Sequence, residues 1–179
     1  MIRKLFRRKT PPLAVVPLYE NIVQAARRPA LYRPPYGVAD TLEGRFDLVV
    51  LHAFLVMRRL TEEGDAGRTL AQALSDHMFT SFDRALREMG VGDLAVPKRM
   101  AKLGEDYNGR SAAYTRAFAG EEDLAGALAR NVLGSGDAER GRALAHYAEE
   151  ARRTLSASSA QTLLKGICVF PDPAPHTET

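Results

Sequence analysis

From Leu48 to Met57 every position is apolar except His52. A helix written this way has no broad face to offer water, so other helices must wrap it. Asp40 stands in the capping place, and Glu43, three residues on, can reach back to the opening amides in the capping-box manner. The pattern predicts a central helix over residues 40–59. Its apolar run stops after ten residues at Arg58 and Arg59, whereas a membrane span needs about 20. The expectation is a buried helix at the centre of a soluble bundle.

On either side the periodicity is that of one-sided helices. Leu18, Ile22 and Ala25 predict a first helix over residues 18–28, with Arg27 and Arg28 suiting its C-terminal dipole and Pro29 stopping it. Residues 30–39 carry Pro34, Pro35 and Gly37 and read as an ordered loop pinned by Leu31, Tyr32 and Tyr36. Gly64 and Gly67 mark a turn. Leu70, Leu74, Met78, Phe82, Leu86 and Met89 then recur at spacings of three and four, predicting a long amphipathic helix that ends at Gly90. Pro97 suits the first position of the next helix, which buries Met100, Leu103, Tyr107, Tyr114 and Phe118 and closes at Gly120. Glu121, Glu122 and Asp123 open a shorter one that stops at Gly134, and Asp137 caps a last helix reaching Ser158. Residues 161–170 read as a short extended strand or a final turn, and the tail from Pro171 as disordered. The fold class is all-α: a single-domain bundle around the buried helix at about 40–60, with a short extended segment near its C-terminal end.

Charge alters this picture at one place. Arg3, Lys4, Arg7, Arg8 and Lys9 precede the first acid, Glu20, and removing these five from 25 basic residues leaves 20 against 22 acidic ones. The net charge of +3 thus comes from an arm, residues 1–17 with its proline spacer, and not from the domain at 18–170. Such a body lacks the basic balance of a DNA-binding protein. The arm, with Ile2, Leu5 and Phe6 among its cations, suits anionic surfaces such as phospholipid headgroups or ribosomal RNA, and Lys98, Arg99 and Lys102 extend that expectation. A solvated basic tail is the alternative. No export signal is read, because Pro11, Pro12 and Pro17 break the short apolar run. The composition of the start is that of an organellar transit peptide. One cysteine, Cys168, excludes an internal disulfide and fits a reducing compartment.

No catalytic constellation stands out. The histidines at 52, 77, 146 and 176 show no metal-ligand spacing, and no glycine pattern makes a phosphate loop. His52 reads as a hydrogen-bonded core histidine in preference to a haem ligand. Neither metal nor cofactor is expected, and the protein does not read as an enzyme. The informative polar residues are Arg45, Asp47, Asp83, Arg84, Arg110, Tyr107 and Tyr114, which stand against apolar runs. Two readings stay open: an ion-pair network fixing helix register, or a polar rim around a peptide-binding groove.

Four stretches in order carry a resemblance. They are Tyr32 with Gly37, Val38, Asp40 and Thr41; Gly44-Arg45-Phe46-Asp47-Leu48 with His52; Asp83-Arg84 with the run from Leu86 to Leu94; and Gly109-Arg110 with Tyr114. A looser echo lies at Phe170-Pro171. Together they resemble the ubiquinol–cytochrome c chaperone family, assembly factors of respiratory complex III. The resemblance implies an all-helical, non-catalytic factor that binds newly made cytochrome b and helps it acquire haem and enter the complex. It also implies a small partner protein and a ribosome contact, and the basic arm adds the expectation of peripheral contact with an anionic inner membrane. The location it implies is the bacterial cytoplasm at the inner face of the cytoplasmic membrane, or the mitochondrial matrix side. On this reading Arg45, Asp47, Arg84, Arg110 and Tyr114 border the client or partner surface. The alternative function is an RNA- or ribosome-associated helical module.

Overall fold

The computed structural model describes residues 13–173, which form α1 (Val15–Ala26), α2 (Leu42–Thr61), α3 (Gly64–Glu88), α4 (Val96–Phe118), α5 (Leu124–Val132), α6 (Arg142–Ala157) and α7 (Ala160–Leu164). Two 3-10 turns interrupt them, Pro29–Tyr32 after α1 and Ala138–Gly141 before α6. The described residues contain no strand. Helix α2 touches each of the other six helices. Fourteen of its 20 residues are buried, on all sides, as its unbroken apolar run requires. The chain is therefore an all-α domain with one helix as its axis.

Several boundaries differ from the expected ones, each for a local reason. Thr41, not Asp40, caps α2, its hydroxyl accepting from the Gly44 amide at 3.1 Å. Asp40 instead turns outward and accepts from Arg45 Nε at 2.6 Å. Helix α1 begins at Val15, with Pro17 tolerated in its first turn, where few amides have helical partners. Arg27 and Arg28 fall beyond its end. Gly64 does adopt the positive φ of a turn, at +68°, but Gly67 lies inside α3. A Cβ on Gly67 would stand 1.9 Å from the Leu60 carbonyl oxygen, so glycine there lets α3 start hard against the end of α2. Asp123 is the cap of α5 and Asp137 caps the 3-10 turn, while α6 itself starts at Arg142. Met89 points to solvent and the first half of α4 is only partly covered, with Met100, Leu103 and Tyr107 half-buried.

After α7 the chain crosses the flank of α1. Gly166, at φ +90°, sits against Ala14 and Pro17, closer than any Cβ would allow. From there burial alternates, with Cys168 and Phe170 inside and Ile167 and Val169 outside. Arg28 closes the crossing by donating to the carbonyls of Phe170, at 3.2 Å, and Pro171. The expected tail from 171 otherwise falls on residues 174–179, which lie outside the described residues, as does most of the arm, residues 1–12.

Candidate functional site

The loop between α1 and α2 shapes an open recess on the surface. Its backbone folds back on itself: the amides of Tyr36 and Gly37 both donate to the Arg33 carbonyl, at 3.0 and 2.9 Å, and Val38 donates to Leu31. Gly37 takes φ +63°, the left-handed conformation such a reversal needs and glycine adopts without strain. Tyr32 donates its hydroxyl to the Ala26 carbonyl at 2.7 Å, fixing its ring beside the end of α1. Burial of that ring pushes the phenol's pKa up. The result is an open recess of about 570 Å³ lined by Arg27, Pro29, Tyr32, Arg33, Asp40 and Arg45. The hydrogen bond from Arg45 holds the Asp40 carboxyl below its ordinary range.

Of the expected site residues, Arg45 stands on this recess. Asp47, Arg110 and Tyr114 do not, and they converge elsewhere. Arg110 Nη2 lies 2.8 Å from Asp47 Oδ1, and its guanidinium carbon lies 5.6 Å from the Phe46 ring centroid. Asp47 is buried, and Tyr114 is wholly enclosed with a hydroxyl that has no hydrogen-bond partner. Burial pushes the Tyr114 phenol upward, with the Asp47 charge adding to it. Asp47 and Tyr114 are thus closed to solvent, and Arg110 pairs with Asp47 where α4 meets α2. That arrangement matches the ion-pair reading of the sequence. Arg84 is exposed on α3, where the neighbouring Asp83 is bound by Arg87 at 2.7 Å.

The expected anionic-surface residues are also dispersed. Lys98, Arg99 and Lys102 are exposed on the first turns of α4. Lys102 is held by Asp106 at 2.7 Å, which takes part of its charge out of play. Arg3, Lys4, Arg7, Arg8 and Lys9 lie outside the described residues. No group of three or more His, Cys, Asp or Glu among the described residues is placed to hold a metal ion, and no described helix is long and apolar enough to cross a membrane.

His52 is fully buried in α2. Its Nδ1 lies 2.7 Å from the Leu48 carbonyl, which can only accept, so Nδ1 carries the proton and Nε2 accepts from the Tyr147 hydroxyl at 2.8 Å. Burial lowers its pKa to about 4. It is a core histidine tying α2 to α6, with Phe170 edge-on at 4.9 Å.

The recess residues Arg27 and Arg33 were not among the expected site residues. In the sequence Arg27 suits the dipole of α1, and the one signal of a shared surface is the placing of Arg27 and Arg33 on either side of a proline-marked turn.

The fold is an all-α domain built on one enclosed helix, with the inner Asp47 paired to Arg110 and with Arg27, Arg33 and Arg45 lining an exposed recess, which places it in the class of helical bundle proteins. Its architecture is similar to the crystal structure of the Cbp3 homolog from Brucella abortus, with a TM-score of 0.79 and 37% sequence identity over 97% of this chain and 98% of that one. The family model of the ubiquinol-cytochrome C chaperone matches residues 35–170. The chain belongs to the ubiquinol–cytochrome c chaperone family. No curated protein matches it in sequence. Membership associates the chain with the assembly of ubiquinol–cytochrome c reductase, respiratory complex III.

Proposed function

We propose that the protein acts without catalysis, binding newly made cytochrome b and holding it for assembly into complex III at the inner face of an energy-transducing membrane. The observation that carries this reading is the recess. Tyr32, Asp40 and Arg45, spread along the two stretches that first resembled the family, meet there on one exposed concave surface with Arg27 and Arg33. Arginine and tyrosine are the side chains on which protein interfaces most often depend. In this reading the buried Asp47–Arg110 pair fixes the frame that presents them, the exposed Arg84 of α3 is a further contact outside the recess, and the basic arm contacts an anionic membrane or the ribosome where the client emerges.

The test is affinity purification of the tagged full-length protein from cells synthesising cytochrome b, with mass spectrometry of what accompanies it. Recovery of cytochrome b, reduced by Arg45→Glu with Arg84→Glu in a protein that still melts cooperatively, is the expected result. Full recovery by that variant removes the assigned surface. Ribosomal material without cytochrome b, lost as salt rises, favours an RNA-binding role instead. Deleting residues 1–12 shows whether the arm is needed.

A further inference from the structure

The recess between the end of α1 and the start of α2 holds more positive charge than the fold itself uses. Arg45 is engaged by Asp40 at 2.6 Å. Arg27 and Arg33 line the same recess and form no ion pair among the described residues. Like charges converging on one concavity repel one another, and that cost is relieved when an anion enters. The guanidinium fork matches a carboxylate or a phosphate. At about 570 Å³ the space falls within the range of ligand sites, roughly 300–1,000 Å³, and exceeds what a single small anion fills. Tyr32 and Pro29 give it an apolar wall.

Two features select a peptide over a lipid headgroup. Asp40 on the lining repels the dense negative charge of an anionic bilayer, yet it can accept from a cationic side chain or a backbone amide beside a bound carboxylate. The basic arm, better suited to such a bilayer, joins the fold at Leu13, at the opposite end of α1. With 12 residues at a rise of about 1.5 Å each, that end lies roughly 18 Å away.

We propose that this recess docks an acidic peptide segment of the client, whose carboxylate is clasped by Arg27 and Arg33 while the adjoining side chain lies against Tyr32 and Pro29. This rests on the chaperone reading above and names the chemistry that the surface recognises.

The test uses the full-length protein and short fluorescent peptides tiling the solvent-facing loops of cytochrome b, read by anisotropy at low and raised salt. An acidic peptide should bind, its counterpart with Asp and Glu changed to Asn and Gln should not, and the double variant R27Q/R33Q should weaken binding by about tenfold or more. Arg153→Gln, an exposed and unpaired arginine on α6, should leave binding unchanged. Arg27 and Arg33 are exposed and form no ion pair among the described residues, so the double variant should fold; Arg33→Lys, which keeps the charge and loses the fork, should fall between it and the wild type. Equal binding of the neutralised peptide, insensitivity to R27Q/R33Q, or no peptide bound at all overturns the proposal. So does capture of phosphatidylglycerol vesicles that is lost in the same variant, which assigns the recess to lipid. Recovery of cytochrome b by the wild-type chain, scored alongside, separates the two readings: recovery without a recess effect removes the peptide site alone, and no recovery removes the client itself.

Discussion

Arg110 of α4 reaches across to Asp47 of α2, with 2.8 Å between Nη2 and Oδ1. The same guanidinium donates from Nε to the Asn131 carbonyl at the end of α5, at 3.3 Å. One side chain thereby ties three helices together beside Ala113, Tyr114 and Ala117, buried residues of α4. The arrangement is costly for the acid. Burial raises the Asp47 pKa to about 7, outweighing the pull of Arg110, and the Asp106 charge adds to the rise.

Stability should therefore depend on pH through Asp47. Its carboxyl titrates near 4 in the unfolded chain and near 7 in the fold, so between those values the fold holds more protons. Its contribution to unfolding free energy falls as pH rises across that window and levels off above it. Asp47→Asn should abolish this slope. Arg110→Ala should cost about 3 kcal/mol near pH 8, where it strands a buried charge, and clearly less near pH 5, where Asp47 keeps its proton. Denaturant melts at the two pH values measure the difference, and equal costs would mean that Asp47 does not titrate in this window.

His52 carries the opposite slope. It is neutral in the fold, with a pKa of about 4 against 6.5 in the unfolded chain. Its contribution is complete above about 6.5 and is lost as pH falls toward 4. Asp47 and His52 thus offset one another over a shared range. Asp47→Asn should unmask an acid-side loss of stability, and His52→Gln a loss as pH rises. Tyr147→Phe, which leaves the buried Nε2 without its donor, should cost about 1–3 kcal/mol at neutral pH. A melt unchanged by Tyr147→Phe would count against the α2–α6 bond.

Arg28 should control the reactivity of Cys168. The thiol is buried, and burial pushes its pKa up to about 12, so it is protonated and shielded at neutral pH. The segment that carries it is closed at its far end by the bonds from Arg28 to Phe170 and Pro171. Arg28→Ala should let that segment open and speed labelling of Cys168 by an aromatic disulfide about tenfold or more, with little change in the global melt. Identical labelling rates would show that packing of Phe170 alone holds the crossing in place.

The helices were legible because each rests on a local regularity. The run from Leu48 to Met57 has no polar face whatever surrounds it, so the axis of the bundle could be read before any partner was known. Gly64, Gly90, Gly120 and Gly134 ended or separated helices where a positive φ was needed, and all four adopt it. The capping of α2 was harder. Asp40 and Thr41 are both competent caps, and the choice turned on Arg45, which draws Asp40 away from the helix end.

The polar residues were legible as a set and not as an arrangement. Arg45, Asp47, Arg110 and Tyr114 all stand against apolar stretches, and nothing in their spacing separates those that face inward from the one that faces out. Only the crossing of α4 over α2 puts Arg110 beside Asp47 and encloses Tyr114. The crossing also leaves Arg45 on the surface. The recess is the clearest case. Its arginines come from the end of one helix, a loop and the start of another, each with an adequate local explanation, and their convergence exists only once the loop has folded back from Arg33 to Val38. By itself the sequence determined a helical bundle, its axis and the family it resembles, because periodicity and motif are properties of neighbours along the chain. The tertiary structure decided which charges are paired inside and which remain exposed, because burial and pairing depend on residues that meet only in space.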